Sequence, residues 1–204
     1  MMQTIKLIIA MALITTGTVF AQRQNKKALL VIDVQENLLK TTSKMHADPG
    51  TILPFLYNLN KSISVFNAKN YPVIYTINEW TNPLVNALTG NVCKKGGEGT
   101  GIDKRVSLVS DHIYYKSKMN ALTNKALLEY LHSEGITELY ITGLFAEACV
   151  RATQKNATLG NFKVIIVEDA VGSRSANKKR KAMENCQKNG AKLVKAVELT
   201  QSVE

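Results

Sequence analysis

Cysteine is scarce in this chain: Cys93, Cys149 and Cys186 are the only three in 204 residues. The number is odd and too small for a disulfide framework, and the spacing fits no zinc site. In an oxidising setting one pair could form, with Cys93 and Cys186 the expected partners, whereas a nucleophilic Cys149 has to stay free. Long hydrophobic runs are equally few. The amino-terminal end carries one and nothing comparable follows, so the remainder is expected to be soluble. No internal repeat or linker divides it. Acidic residues are also under-represented: 16 Asp and Glu face 26 Lys and Arg, for a net charge of +10. Such a balance favours anionic substrates or loose adhesion to an acidic surface, although much of the excess is scattered lysine. The densest basic run, Lys178-Lys179-Arg180-Lys181, has no aromatic interleaving and no nucleic-acid motif beside it. It reads as the solvated face of a late helix, and nucleic acid is not an expected partner.

What is present begins with residues 1–21, which have the form of a cleaved export signal. Lys6 supplies the positive start, Leu7 to Ile14 the apolar core, and Val19-Phe20-Ala21 the small residues before a cut at Gln22. An uncleaved anchor is the alternative, but Thr15, Thr16 and Gly17 break the stretch, which is short for a full span. No Cys follows the cut, so lipoprotein processing is not indicated. The expected product is periplasmic or secreted, and residues 22–204 suit one domain with a substantial core. Its composition, 45% hydrophobic and 21% charged, is ordinary for a globular protein.

The run Ala28-Leu29-Leu30-Val31-Ile32-Asp33-Val34 is continuously apolar up to a carboxylate. Continuous hydrophobicity means burial on both faces, as in a central parallel strand. Asp33 then either faces a ligand, as groups at the carboxyl ends of such strands do, or caps the next segment. Apolar residues at helical spacing over 51–68 precede a second strand, Val73 to Ile77, which ends in Asn78-Glu79-Trp80-Thr81. Residues 82–111 have little periodicity and four glycines, and read as a long surface excursion of the kind that covers an active site. A third strand over 112–116 ends on Lys116, followed by an amphipathic helix over 121–133.

A fourth strand, Glu138 to Thr142, runs into Gly143-Leu144-Phe145-Ala146-Glu147-Ala148-Cys149-Val150-Arg151, with a helix expected over 148–159. Cys149 is therefore placed in or beside the first turn of a helix springing from the carboxyl end of a strand. Free N–H groups and the helix dipole there lower a thiol pKa and can cradle an oxyanion. A small Cys packed under a helix start is the plainer reading. A fifth strand over 163–167 ending in Glu168-Asp169-Ala170, a helix over 177–188 and a strand over 192–197 complete the pattern. Alternation of this kind predicts an α/β fold: a three-layer α/β/α sandwich around a parallel, doubly wound sheet of about six strands.

Asp33, Lys116 and Cys149 thus fall at one edge of the expected sheet. Leu30-Val31-Ile32-Asp33-Val34-Gln35, Lys116 with Asn120-Ala121-Leu122, the segment from Gly143 to Val150, and Val167-Glu168-Asp169-Ala170 together resemble the isochorismatase-like cysteine hydrolases, the group that includes nicotinamidases and N-carbamoylsarcosine amidase. The resemblance spans nearly all of the chain after residue 21. It implies a catalytic triad of Cys149, Asp33 and Lys116, with Asp33 the base, Lys116 its orienting cation and Cys149 the nucleophile. It further implies an oxyanion hole from the N–H groups of Ala146 and Cys149, a non-proline cis peptide at Phe145–Ala146, no cofactor, a small-molecule substrate and a homo-oligomer.

Departures from the family pattern bear on the substrate. His46, His112 and His132 all lie away from Asn78-Glu79-Trp80-Thr81, where nicotinamidases hold a metal, so no metal site is expected. Leu38 and Leu122 replace common aromatics, and Asn120 a common serine. Leu38, Asn78, Trp80, Tyr115 and Phe145 are the candidate pocket residues. Hydrolysis of a small amide or ureido C–N bond through a thioester is the favoured chemistry. Vinyl ether hydrolysis by Asp33, or ligand binding on an inactive hydrolase fold, are the alternatives.

Overall fold

The computed structural model describes residues 26–203, and the expected export signal lies outside the described residues. Six strands form one sheet: β1 (Lys26–Ile32), β2 (Val73–Asn78), β3 (Ile113–Lys116), β4 (Ile136–Gly143), β5 (Lys163–Val171) and β6 (Lys192–Val194). Their order is β3-β2-β1-β4-β5-β6, and every pairing is parallel. The chain moves outward from β1 to β2 and β3, then returns to add β4, β5 and β6 on the other side. That reversal puts a crevice between the carboxyl ends of β1 and β4, where doubly wound sheets bind ligands.

Helices cover both faces because successive strand residues point to opposite sides. Leu29 and Val31 of β1 pack with Phe55, Leu59, Ile63 and Phe66 of α2 (Ile52–Ala68). Leu30 and Ile32 face the opposite core, with Leu127 and Leu131 of α4 (Lys125–Ser133), Ala157 of α5 (Arg151–Leu159) and Met183 of α6 (Ala176–Lys188). The short α1 (Glu36–Leu39) and α7 (Leu199–Ser202) contribute Leu38 and Leu199 to the α2 side. No helix among the described residues is long and apolar enough to cross a membrane.

Several local expectations are corrected. The excursion over 82–111 contains α3 (Pro83–Thr89), capped by the Asn82 side chain on the N–H groups of Leu84 and Val85 and stopped by left-handed Gly90. The helix expected over 121–133 is a 3₁₀ turn, Ala121–Thr123, followed by α4, each capped by an Asn side chain. The last strand ends at Val194, and β5 runs on to Val171. All three cysteines are free. Cys93 is packed on the α2 side of the sheet and Cys186 on the α6 side, so the sheet separates the pair expected to bond.

Candidate active site

The site begins with two backbone requirements at the switch point. Gly143 ends β4 at φ +110, where an added Cβ would strike the Ile32 backbone, so only glycine lets the two central strands finish side by side. Asp33 follows Ile32 at φ +52, a left-handed conformation that turns its carboxylate over the end of β1. There Oδ1 accepts a hydrogen bond from Thr76 Oγ1 at 2.7 Å. Oδ2 lies 2.6 Å from Lys116 Nζ, both side chains being 1% exposed.

Lys116 arrives from β3, paired with Asn78 of β2. Its Nζ also donates to Lys118 O at 3.0 Å and to Cys149 Sγ at 3.5 Å. The structure thus brings Asp33, Lys116 and Cys149 into mutual contact. Burial is the largest single influence and pulls the Lys116 pKa down, but the charge and hydrogen bonding of Asp33 and Cys149 together outweigh it, and the ammonium is held above its ordinary value.

Cys149 sits in a single π-helical turn, Ala146–Val150, that leads directly into α5 and so lies beside its first turn. Such turns are a recurrent feature of functional sites. Burial, with the Asp33 carboxylate beside it, raises the Cys149 thiol pKa, and Lys116 offsets only part of this. The direction is opposite to the one expected of a thiol at a helix start. The cis peptide lies at Leu144–Phe145, one bond before the expected position. Leu144 N–H still bonds to Ile32 O at 2.8 Å, and the cis bond comes directly after it. Ala146 N–H donates to Gly172 O at 2.8 Å, which removes it from the expected oxyanion hole. The Phe145 N–H has no backbone acceptor among the described residues.

A cavity of about 240 Å³ opens onto Asp33 and Cys149. Leu38, Asn78, Trp80 and Phe145 line it, joined by Met45, Val85 and Met119, which the sequence pattern did not mark. Tyr115 does not. It neighbours Lys116 on β3, so strand alternation turns it outward, 54% exposed, into a separate depression with Glu79 and Lys95. Thr76 and Gln35 were also missed. Gln35 is fully buried, donates to Asn78 O and Thr100 O, and accepts from Asn78 N–H, tying the excursion to the ends of β1 and β2. Only the pairing of a strand-end polar residue with a neighbouring strand distinguishes such residues, and that is a tertiary fact.

Cys93 lies on the cavity wall with its Sγ 3.8 Å from Gln35 Oε1, and burial pushes its thiol up to about 12. Among the described residues no cluster of three or more His, Cys, Asp or Glu could hold a metal. The histidines are engaged elsewhere: His46 with Ala47 O, His112 with Tyr130, and His132 stacked on Phe162.

The family model described as the isochorismatase domain matches residues 27–198. Among curated relatives, a ureidoacrylate amidohydrolase from Klebsiella pneumoniae (strain 342) is 24% identical over 177 residues, covering 74% of each chain. An N-carbamoylsarcosine amidase from Arthrobacter sp is 27% identical over 164 residues, 74% of this chain and 61% of its own. Among solved structures, a cysteine hydrolase from Pseudomonas syringae pv. phaseolicola superposes with a TM-score of 0.78 at 16% identity, covering 87% of this chain and 92% of its own.

Proposed function

The chain belongs to the isochorismatase family, and from that premise we propose that it is an exported cysteine hydrolase that cleaves the C–N bond of a small amide or ureido compound through a thioester on Cys149. The observation carrying this reading is the convergence of Asp33, Lys116 and Cys149, with Lys116 Nζ 2.6 Å from Asp33 Oδ2 and 3.5 Å from Cys149 Sγ, and with Asp33 and Cys149 lining one cavity. The names of the amidase and amidohydrolase relatives support the same bond class.

The sequence of steps follows from the charges. At rest the Asp33–Lys116 ion pair stands beside a neutral thiol. When a substrate carbonyl reaches Sγ, Asp33 takes the thiol proton as the C–S bond forms, and Lys116 keeps the region neutral overall. The oxyanion is received by the N–H groups of Phe145 and Cys149, with Phe145 in place of the occupied Ala146. Asp33 returns the proton to nitrogen, the C–N bond breaks and the amine leaves. Water then gives a proton to Asp33 and attacks the thioester, releasing the acid and restoring the Cys149 thiol.

Ammonia release from a panel of primary amides and ureas tests the proposal. Cys149→Ala and Asp33→Asn are each expected to lower turnover by about 10³-fold or more, with the fold retained. Turnover unchanged in Cys149→Ala would exclude the thioester route and favour chemistry by Asp33 alone.

A further inference from the structure

The cavity wall carries information about the substrate beyond the bond that is cut. Leu38, Met45, Trp80, Val85, Met119 and Phe145 present carbon to it, and among the described residues no lysine, arginine or histidine lines it. The polar side chains on the wall are committed to the protein. With its amide oriented to satisfy both ends, Asn78 donates to Lys116 O and accepts from Trp80 Nε1, each at 3.1 Å. Thr89 Oγ1 donates to Val85 O at 2.7 Å, and the Cys93 thiol faces Gln35. Lys116, the cation in contact with Asp33 and Cys149, is not part of the wall and is paired with Asp33. Arg174, whose guanidinium is 5.9 Å from the Phe145 ring centroid, is paired with Glu147.

We infer that the substrate is an uncharged amide with a compact apolar acyl group, and that this site rejects carboxylate-bearing amides and ureido acids. The inference rests on the amide-hydrolase reading and specifies its substrate class. It runs against the net charge of the chain, which on its own would favour anions: the positive charge lies on the surface, not in the cavity. A carboxylate in this cavity would lose its hydration, find no cation in return and sit near Asp33. Ureidoacrylate and N-carbamoylsarcosine, the compounds in the relatives' names, would both meet that obstacle. The volume, about 240 Å³, limits the acyl group to a short alkyl chain or a single ring. Hydrolysis turns the neutral amide into a carboxylate plus ammonia, so the product is of the kind the wall disfavours and is released readily.

Trp80 is the only tryptophan in the chain and lines the cavity, so its fluorescence reports binding without turnover. The experiment titrates Cys149→Ala with pentanamide and with succinamate, which puts a carboxylate where pentanamide has a terminal ethyl group, and with butylurea and N-carbamoyl-β-alanine. The neutral member of each pair is expected to bind about 100-fold more tightly, and wild-type kcat/KM to follow the same order. Met119→Arg, a substitution at an exposed position on the rim, is expected to narrow the gap by improving binding of the carboxylates. Equal or tighter binding of the carboxylates, or no saturable signal with either neutral compound, overturns the inference. Neutral compounds that bind with this preference but are not hydrolysed by wild type would uphold the inference and count against the hydrolase reading instead.

Discussion

At the level of single residues, the orientation of Asp33 depends on a neighbour with no chemistry of its own. Thr76 Oγ1 donates to Oδ1, which leaves Oδ2 for Lys116. Removing that donor in Thr76→Val leaves a buried carboxylate oxygen short of a hydrogen bond and free to rotate away from the thiol. The expected result is a fall in kcat of about 10-fold with little change in KM, recovered in Thr76→Ser. A purely structural Thr76 would lower the yield of folded protein without that division between kcat and KM. Replacing Lys116 by Met is a harsher change. It strands a carboxylate that is 1% exposed, and is expected to cost about 3–5 kcal/mol in stability, measurable by urea unfolding, along with activity.

Among the elements, the π-helical turn bearing Cys149 is held from outside by one side chain. Glu147 accepts from Ser173 Oγ at 2.7 Å and from Arg174 Nε at 2.9 Å, joining the turn to the segment after β5. Burial works to raise the Glu147 pKa, but the bonds from Arg174 and Ser173 outweigh it and the group is held below its ordinary 4.5. A lowered carboxylate stabilises the fold above its unfolded pKa, and that contribution is lost as pH falls through the folded one. Glu147→Gln is therefore expected to cost about 1–2 kcal/mol near neutral pH, and the difference from wild type should shrink as pH drops below 4.5. Paired urea titrations at neutral and acid pH measure this.

The same elements show what the sequence could convey. The strand runs at 28–34, 73–77 and 138–142 were legible because both-sided burial leaves unbroken apolar residues, and they brought Asp33 and Cys149 to one sheet edge in prospect. Helix α3 was hidden inside the excursion because much of it remains at the surface, with Leu84 and Leu88 exposed, so it has no helical apolar stripe to betray it. Tyr115 was misplaced because the facing of a four-residue edge strand is set by the register with β2. That Ala146 N–H is already occupied could not be read from the sequence, because its partner is Gly172, 26 positions along the chain.

For the molecule as a whole, three buried thiols make alkaline pH the weak side of its stability. Burial raises Cys93 to about 12 and Cys186 to about 11, and raises Cys149 as well, from an ordinary 9.0. A raised thiol pKa means the native state keeps protons that the unfolded chain releases above pH 9.0, so stability present below that value is lost as pH rises. Each such group adds about 1.4 kcal/mol per pH unit to the decline. Cys186 is buried under α6 and does not line the cavity, and Cys186→Ala is expected to flatten the decline above pH 9 by one proton while leaving the pH profile of turnover unchanged. An identical slope in the two proteins would show that Cys186 ionises as readily folded as unfolded.

Acylation of Cys149 is the central claim, and mass spectrometry after acid quenching reads it directly. The wild-type chain is mixed with p-nitrophenyl butyrate, whose short neutral acyl group suits the cavity, stopped within one turnover and digested. The account predicts one butyryl group per chain on the peptide carrying Cys149, formed with a matching burst of nitrophenolate, absent from Cys149→Ala and strongly slowed in Asp33→Asn. A burst without acyl-Cys149, or acylation at the same rate in Asp33→Asn, would contradict it.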